Sequence, residues 1–214
     1  MIKCKILNYL NIDLGGGRIN MRVDNYIIFK YIDIPDDIKN NMIGKSMPIN
    51  SNISFEELSY LKLTYFGFDN NTHIGEMIVN KKLAKEVVDI FKELYKNRYP
   101  IEKIKLIDEY NANDNLSMKD NNSSSFNYRT IWGTNKISNH GKGMAIDINP
   151  LQNPYIKGII ISPPEGELYK DRKNIRKGMI IKNDVAYNAF VKRGWKWGGE
   201  WNNPDYQHFE KVIY

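Results

Sequence analysis

A single cysteine, Cys4, is the feature that most restricts how this chain of 214 residues can fold. It rules out an intramolecular disulfide framework and any zinc site built from several thiolates. The fold must therefore be held by a hydrophobic core, and a 42% share of hydrophobic residues is enough for one. We expect one globular domain, with or without a modest additional segment.

The formal net charge of +6 is compatible with a polyanionic partner such as nucleic acid or an anionic cell wall. No run of Lys and Arg alternates with aromatic residues as base stacking requires, so we expect no nucleic-acid partner. No apolar stretch approaches the roughly 18 residues of a transmembrane helix. The first 17 residues also lack the continuous apolar core of a secretion signal, which leaves an export route open.

The N-terminal third consists of short apolar stretches separated by turn signals. The apolar stretch at 26–29 lies between three glycines at 15–17 and the Ile-Pro-Asp-Asp turn at 34–37. This pattern predicts a β-rich segment over residues 1–70, to which no role is assigned. Residues 71–214 contain no clean linker and are predicted to form a second, functional unit.

One strong helical pattern opens this second unit. Apolar side chains recur at helical spacing at Leu83, Val87, Phe91 and Leu94. Asn80 is a suitable N-cap and Pro100 ends the pattern, so we predict a helix between them that is used for core packing. A strand is predicted over 101–107, and a second helix is predicted over 183–192, ending at Gly194.

Two polar stretches, 111–125 and 150–177, are predicted to be loops. The first is almost entirely Asn, Asp, Ser and Lys, and we expect it to be too polar to bury. Both are long enough to contribute to specificity.

Histidine is scarce, and two of the three histidines have unusual surroundings. His140 is followed by Gly141 and Gly143, which allow the backbone to return His140 toward Asp147. Asp147 lies in a predicted strand over 144–148, flanked by isoleucines, where an ionised carboxylate is costly unless it is paired or binds a metal. His208 follows an acid, Asp205, by three residues.

Two imidazoles and one carboxylate from His140, Asp147 and His208 suit a catalytic zinc site with three protein ligands and a fourth position open to water, although the same donor set also accepts manganese, cobalt or iron. Asp205 would then be free to accept and pass on a proton. Structural alternatives remain: a histidine in a glycine turn, a strand-end aspartate before a turn, and a tryptophan cluster that closes the core. His73 lies in a polar turn without a partner and is left out of the site.

Three ordered motifs resemble the D-alanyl-D-alanine carboxypeptidase (VanY-like) zinc peptidases of the hedgehog/D,D-peptidase superfamily. The first runs Ser138-x-His140-x-x-Gly143-x-Ala145-x-Asp147, and the second is Asp205-x-x-His208. Phe-Asn-Tyr-Arg at 126–129 stands where the family carries its Tyr-Arg element, with Asn127 in place of the family's glycine. The resemblance spans about residues 75–214.

This resemblance implies an α+β fold in which a small antiparallel sheet, flanked by helices, holds the metal. It implies Zn2+ bound by His140, Asp147 and His208, with Asp205 as general base. It further implies that Arg129 polarises the scissile carbonyl and that Ser138 contacts the substrate.

The implied function is zinc-dependent hydrolysis of a peptide bond in cell-wall peptidoglycan, of the D-Ala-D-Ala carboxypeptidase type, outside the cell membrane. Two alternatives share the fold: an L-alanyl-D-glutamate endopeptidase resembling phage lysins, and a non-catalytic, metal-bound wall-binding module. A third hypothesis is a basic polymer binder acting through residues 1–70, with affinity that falls steeply with salt.

Overall fold

The computed structural model describes residues 4–13, 18–131 and 133–213. The glycine turn predicted at 15–17 lies outside the described residues. The described strands and helices are, in chain order, β1 (Cys4–Asp13), β2 (Arg18–Ile27), β3 (Phe29–Ile32), α1 (Asp36–Met42), β4 (Leu58–Phe66), β5 (Thr72–Asn80), α2 (Ala84–Lys96), β6 (Lys103–Ile104), α3 (Asp114–Lys119), β7 (Asn122–Ser123), β8 (Ala145–Asp147), β9 (Tyr155–Lys157), β10 (Ile160–Ser162), α4 (Val185–Val191), β11 (Lys196–Trp197) and β12 (His208–Glu210).

The larger of two three-stranded sheets has the order β3-β4-β5 and is antiparallel throughout. β4 and β5 pair along their whole length, from Leu58 opposite Asn80 to Phe66 opposite Thr72. The apolar stripe of α2 covers this sheet, with Val87, Phe91 and Leu94 buried in the same cluster as β4 and β5. The helix predicted from its spacing therefore forms and packs as predicted, but its N-cap is Leu83, and the predicted N-cap, Asn80, is the last residue of β5.

The smaller sheet has the order β11-β12-β8 and is also antiparallel. Its central residue, Phe209, is fully buried and stacks on Phe190 of α4 with ring centroids 4.0 Å apart. The side chains that alternate with Phe209 on β12, those of His208 and Glu210, consequently lie on the opposite face. A small antiparallel sheet beside helices confirms the predicted α+β fold.

A tight turn at Gly143, just before β8 of the smaller sheet, is hydrogen-bonded to the end of β5 in the larger sheet. The Asn80 N–H at the end of β5 donates to the Gly143 carbonyl at 2.8 Å, and Gly143 has a φ of +65°. A Cβ at Gly143 would lie 2.5 Å from the Asn80 nitrogen, so only glycine permits this approach. The entry to β8 is thereby fixed against the larger sheet.

The predicted boundary between residues 70 and 71 falls in the turn between β4 and β5. Both strands share one hydrophobic cluster with α2, β8 and α4. The division into segments 1–70 and 71–214 stays a prediction, and elements of the second segment pack directly on β4 of the first.

The polar stretch at 111–125 forms α3 and β7 rather than an exposed loop, so the prediction that it is too polar to bury was wrong. Five of its polar residues are buried: Ser117, Asn121, Asn122, Ser123 and Ser125. Each of these side chains is hydrogen-bonded, for example Asn122, which pairs with both the N–H and the carbonyl of Lys105. Because each of these side chains has a hydrogen-bond partner within the protein, the free-energy cost of burying it is offset.

Other boundaries differ locally from the predictions. The Ile-Pro-Asp-Asp turn at 34–37 leads into α1, and the strand predicted over 101–107 shortens to the two residues of β6. The second predicted helix forms as α4, with the Asp184 carboxylate accepting the Tyr187 N–H at 2.7 Å and Gly194 following at a φ of +83°. No helix among the described residues is long and apolar enough to cross a membrane.

Candidate active site

The smaller sheet brings the three predicted ligands together. Asp147 at the end of β8 lies directly opposite His208 at the start of β12. His140 begins a 3-10 turn that Gly143 closes before β8. The chain thus places His140, Asp147 and His208 at one end of one sheet, as the paired motifs and the family resemblance led us to expect.

Hydrogen bonds outside the cluster orient both imidazoles. The Nδ1 of His140 donates to the Ser125 carbonyl at 2.7 Å, because a carbonyl can only accept. The Nε2 of His208 faces the Glu210 carboxylate at 3.2 Å, and Glu210 in turn accepts from Asn139 at 2.8 Å. The nitrogens left facing the centre are Nε2 of His140 and Nδ1 of His208.

These two inward nitrogens and the Asp147 carboxylate are all potential electron-pair donors. His208 Nδ1 lies 3.0 Å from Asp147 Oδ1 and 3.1 Å from His140 Nε2, and His140 Nε2 lies 3.3 Å from Asp147 Oδ2. Three such atoms at this separation repel one another unless a cation, either a proton or a metal ion, sits among them. The arrangement therefore requires a cation at its centre.

The donor set fits zinc. A tetrahedral zinc with ligands about 2.0–2.1 Å away places its donor atoms about 3.3 Å from one another, close to the three separations in the cluster. The Ser125 carbonyl and Glu210 supply the outer hydrogen bonds that metal-binding histidines ordinarily make. Within the described residues, this trio is the one group of three or more His, Cys, Asp or Glu side chains that could hold a metal ion.

The pKa shifts show how strongly the cluster attracts positive charge. Burial would raise the pKa of Asp147, but the adjacent His140 and His208 hold it well below its usual range. Burial would lower the pKa of His208, but hydrogen bonds to Asp147 and Glu210 outweigh burial and raise it to about 10. The same fields that retain a proton here would favour a divalent cation.

Asp205 lies beside the ligands without joining them. Its N–H donates to the Gly198 carbonyl at 2.9 Å, and its own carbonyl accepts the His208 N–H at 3.2 Å. The carboxylate oxygen Oδ1 is buried and has no hydrogen-bond partner among the described residues. Burial and the nearby Asp147 charge raise the pKa of Asp205 to about 6, as suits a group that exchanges protons near neutral pH.

Arg129 is held in place by two groups. Its Nε pairs with the Asp114 carboxylate at 2.5 Å, and its Nη1 donates to Ser138 Oγ at 3.2 Å. Ser138 Oγ also accepts the Gly141 N–H at 3.1 Å, which links the arginine to the turn that carries His140. The predicted substrate-contacting residue, Ser138, thus positions the predicted carbonyl-polarising residue.

One pocket of about 800 Å³ joins these groups. The predicted site residues all contribute to its wall: Arg129, Ser138, His140, Asp147, Asp205 and His208. The two polar stretches predicted to contribute to specificity also reach it, through Ser117 and Met118 on one side and Tyr155 and Ser162 on the other. A substrate in this pocket would contact the metal cluster, the spare carboxylate and the guanidinium together.

The structural alternatives apply only in part. Trp195 and Trp197 are buried and do close the core, but Trp201 is 42% exposed and its ring lies 5.2 Å from that of His208. His73 bonds to the exposed Asp69 and stacks on Tyr65, away from the cluster.

Sequence reasoning missed Glu210 and Asp114. Glu210 stands two residues after His208, and strand alternation could have placed it on the same face. Asp114 lay in the stretch taken for an exposed loop and carried no signal of its own. Asn127, which replaces the family's glycine, is buried and donates to Asp114 at 2.8 Å, so this departure supports the position of Arg129.

An α+β chain that carries a His-Asp-His cluster, a half-buried spare carboxylate and a fixed guanidinium in one pocket fits the metallopeptidase class. Residues 132–211, less than half of the chain, match the model of a family described as D-alanyl-D-alanine carboxypeptidase. The resemblance to the VanY-like peptidases is thereby confirmed over a stretch that contains His140, Asp147, Asp205 and His208. Comparison with curated proteins and with solved structures gives no match.

Proposed function

We propose that this protein is a zinc-dependent peptidase that hydrolyses a peptide bond in the peptide of bacterial cell-wall peptidoglycan, acting outside the cell membrane. The observation that carries the proposal is the convergence of His140 Nε2, Asp147 and His208 Nδ1, with both imidazole N–H groups directed outward. The family match at 132–211 supports peptidase chemistry on wall peptide.

The chain's own residues supply the remaining steps. A bound divalent metal would act as a Lewis acid and lower the pKa of water. Asp205, whose Oδ1 is buried and has no hydrogen-bond partner among the described residues, takes the proton from the attacking water and delivers it to the leaving amine. Arg129, held by Asp114 and Ser138, stabilises the charge that develops on the scissile carbonyl oxygen.

A specific observation favours the endopeptidase over the D-Ala-D-Ala carboxypeptidase. A carboxypeptidase must hold the free terminal carboxylate of its substrate, which calls for an uncompensated cation. Arg129 is the one Lys or Arg among the described residues lining the pocket, and its guanidinium is already assigned to the scissile carbonyl oxygen. A substrate whose peptide chain continues past the cleaved bond, and so has no carboxylate there, fits the lining of this pocket better than a terminal carboxylate does.

The buried, unpartnered Oδ1 of Asp205 argues against a non-catalytic wall-binding module. A buried carboxylate oxygen without a hydrogen-bond partner lowers stability, and a module that keeps metal only for its fold has no use for it.

Mass spectrometry of purified muropeptides, digested by the zinc-loaded protein, tests the proposal. We expect new peptide termini, with Asp205→Asn as the control that retains metal and loses turnover. Internal cleavage would identify an endopeptidase, and loss of one terminal D-alanine would identify a carboxypeptidase. Unchanged muropeptides with a protein shown to be metal-loaded would refute the proposed function.

A further inference from the structure

A second groove adjoins the catalytic pocket at Tyr155. It has a volume of about 560 Å³ and is lined by Tyr155, Glu200, Trp201, Asn202 and Asn203. Tyr155 lines both the pocket and the groove. Because the Trp201 ring lies 5.2 Å from the ring of His208, the groove begins one aromatic ring away from a predicted metal ligand. Whatever binds there would bind together with the reacting peptide.

The groove offers an aromatic surface with neutral hydrogen-bonding groups. Trp201 is 42% exposed. In the part of the chain that the structure describes, the side-chain amides of Asn202 and Asn203 make no hydrogen bond, so their donors and acceptors remain available. The Glu200 carboxylate pairs with Lys182 at 2.9 Å and accepts from Tyr187 at 3.2 Å, which balances its charge.

This combination matches the chemistry of a sugar ring. A pyranose has an apolar face of C–H groups that packs against the electron-rich face of an aromatic ring, and hydroxyls around its edge that pair with amides. An anionic ligand would need an uncompensated cation, and the described lining residues include none. An extended peptide would instead bind by pairing with a free strand edge and placing its side chains in separate pockets.

We propose that this groove binds a saccharide unit, so that the preferred substrate is a peptide still attached to the wall glycan. The inference rests on the proposed peptidase function and specifies its substrate. An extended residue spans at most about 3.6 Å, so a sugar beside Trp201 leaves room for only a short stretch of peptide before the metal cluster. The bond cleaved is then an internal one near the glycan end of the peptide.

Matched substrates test the inference with the zinc-loaded, full-length protein. A disaccharide-linked wall peptide is compared with the same peptide after removal of its sugars, and the quantity of interest is the ratio of the two kcat/KM values. We expect the wild-type ratio to be about ten or more, as one well-made saccharide contact would give. Trp201→Ala and Asn203→Ala should bring the ratio close to one, and Trp201→Phe should restore most of it.

Asn50→Ala is the matched control, because Asn50 is exposed and lines neither the groove nor the pocket. It should keep the wild-type ratio. Metal content is measured for each Trp201 variant, since Trp201 contacts His208. A wild-type ratio near one, or a preference for the sugar-free peptide, would overturn the saccharide proposal while leaving the peptidase intact.

A direct titration separates failure of the groove from failure of the enzyme. Free disaccharide added to the protein should shift the NMR signal of the Trp201 indole N–H, assigned by its loss in Trp201→Phe. If no substrate is hydrolysed, the proposed function fails, and this titration still decides whether the groove takes a sugar. An unperturbed indole signal at high disaccharide concentration would contradict the proposal.

Discussion

At the scale of single residues, the site depends on which nitrogen of each imidazole carries its proton. The Ser125 carbonyl fixes this for His140, and Glu210 fixes it for His208. Neither partner touches the centre of the cluster, yet both determine which nitrogen of each imidazole points into it and can bind a metal. The identity of these outer partners therefore matters nearly as much as that of the ligands.

We predict that Glu210→Ala weakens metal binding by about 10–100-fold, the usual effect of losing an outer hydrogen bond to a metal-bound histidine. The imidazole of His208 would lose both its orientation and the carboxylate that raises its basicity. Titration against a competing chelator measures the change. The metal affinity of Glu210→Gln, which keeps a hydrogen-bond acceptor, should lie between the affinities of Glu210→Ala and the wild type. Equal affinity in Glu210→Ala and wild type would refute the role assigned to Glu210.

Asp114 is predicted to act through Arg129 rather than on the substrate. Asp114→Ala removes the carboxylate that fixes the guanidinium, and we expect kcat to fall about tenfold or more, because a small displacement of a charged group is costly at a reacting centre. KM should change much less. Asp120→Ala, at the other end of α3 and paired with Lys103, serves as the control that leaves kcat unchanged. Equal kcat values in the two variants would contradict this assignment.

At the scale of elements, alternation along β12 separates packing from chemistry. Phe209 packs on α4 while His208 and Glu210 face the pocket, and the antiparallel register brings Asp147 opposite His208. The turn at Gly143 then sets where β8 begins relative to the larger sheet. Three short elements, the Gly143 turn, β8 and β12, therefore set the positions of the residues in the cluster.

Two glycine substitutions test the Gly143 turn. Both Gly143 and Gly158 have positive φ, so replacement by alanine costs each about 1 kcal/mol of backbone strain. A Cβ at Gly143 also collides with the backbone of Asn80 and Val79, whereas one at Gly158 meets nothing within 4 Å. We expect Gly143→Ala to lower the free energy of unfolding by at least about 2 kcal/mol more than Gly158→Ala. Urea denaturation measures the difference, and similar losses would show that the turn tolerates a side chain.

The sequence predicted what periodicity and motif spacing encode. The apolar stripe of α2 and the C-terminal stop of α4 at Gly194 follow from local patterns, and the convergence of His140, Asp147 and His208 follows from the pairing of two motifs and the family resemblance. The buried polar network of 111–125 did not, because its burial depends on hydrogen bonds to residues distant in the chain, such as Asn121 to Gln152. For the same reason the partnership of Asp114 with Arg129 was invisible before the fold was known.

At the scale of the whole molecule, one core supports both sheets, and metal binding is coupled to its protonation. The pKa of His208, raised to about 10 by Asp147 and Glu210, means that the metal-free protein carries a proton at this site at neutral pH. A metal must displace that proton, so affinity falls as pH falls.

We predict that the apparent dissociation constant for zinc decreases by up to about tenfold for each unit of rising pH below about 10, since one proton is released per metal bound. Calorimetry in buffers of different ionisation enthalpy counts this proton between pH 6 and 8. His208→Ala should abolish the pH dependence together with most of the affinity. Metal affinity that does not change with pH would contradict the conclusion that a metal displaces a proton from His208.

Anomalous diffraction at the zinc absorption edge tests the central claim most directly. The account predicts a single strong peak within bonding distance of His140 Nε2, His208 Nδ1 and an Asp147 carboxylate oxygen, and its loss in His140→Ala protein that remains folded. A peak elsewhere in the molecule, or a metal-free protein that hydrolyses wall peptide at full rate, would contradict it.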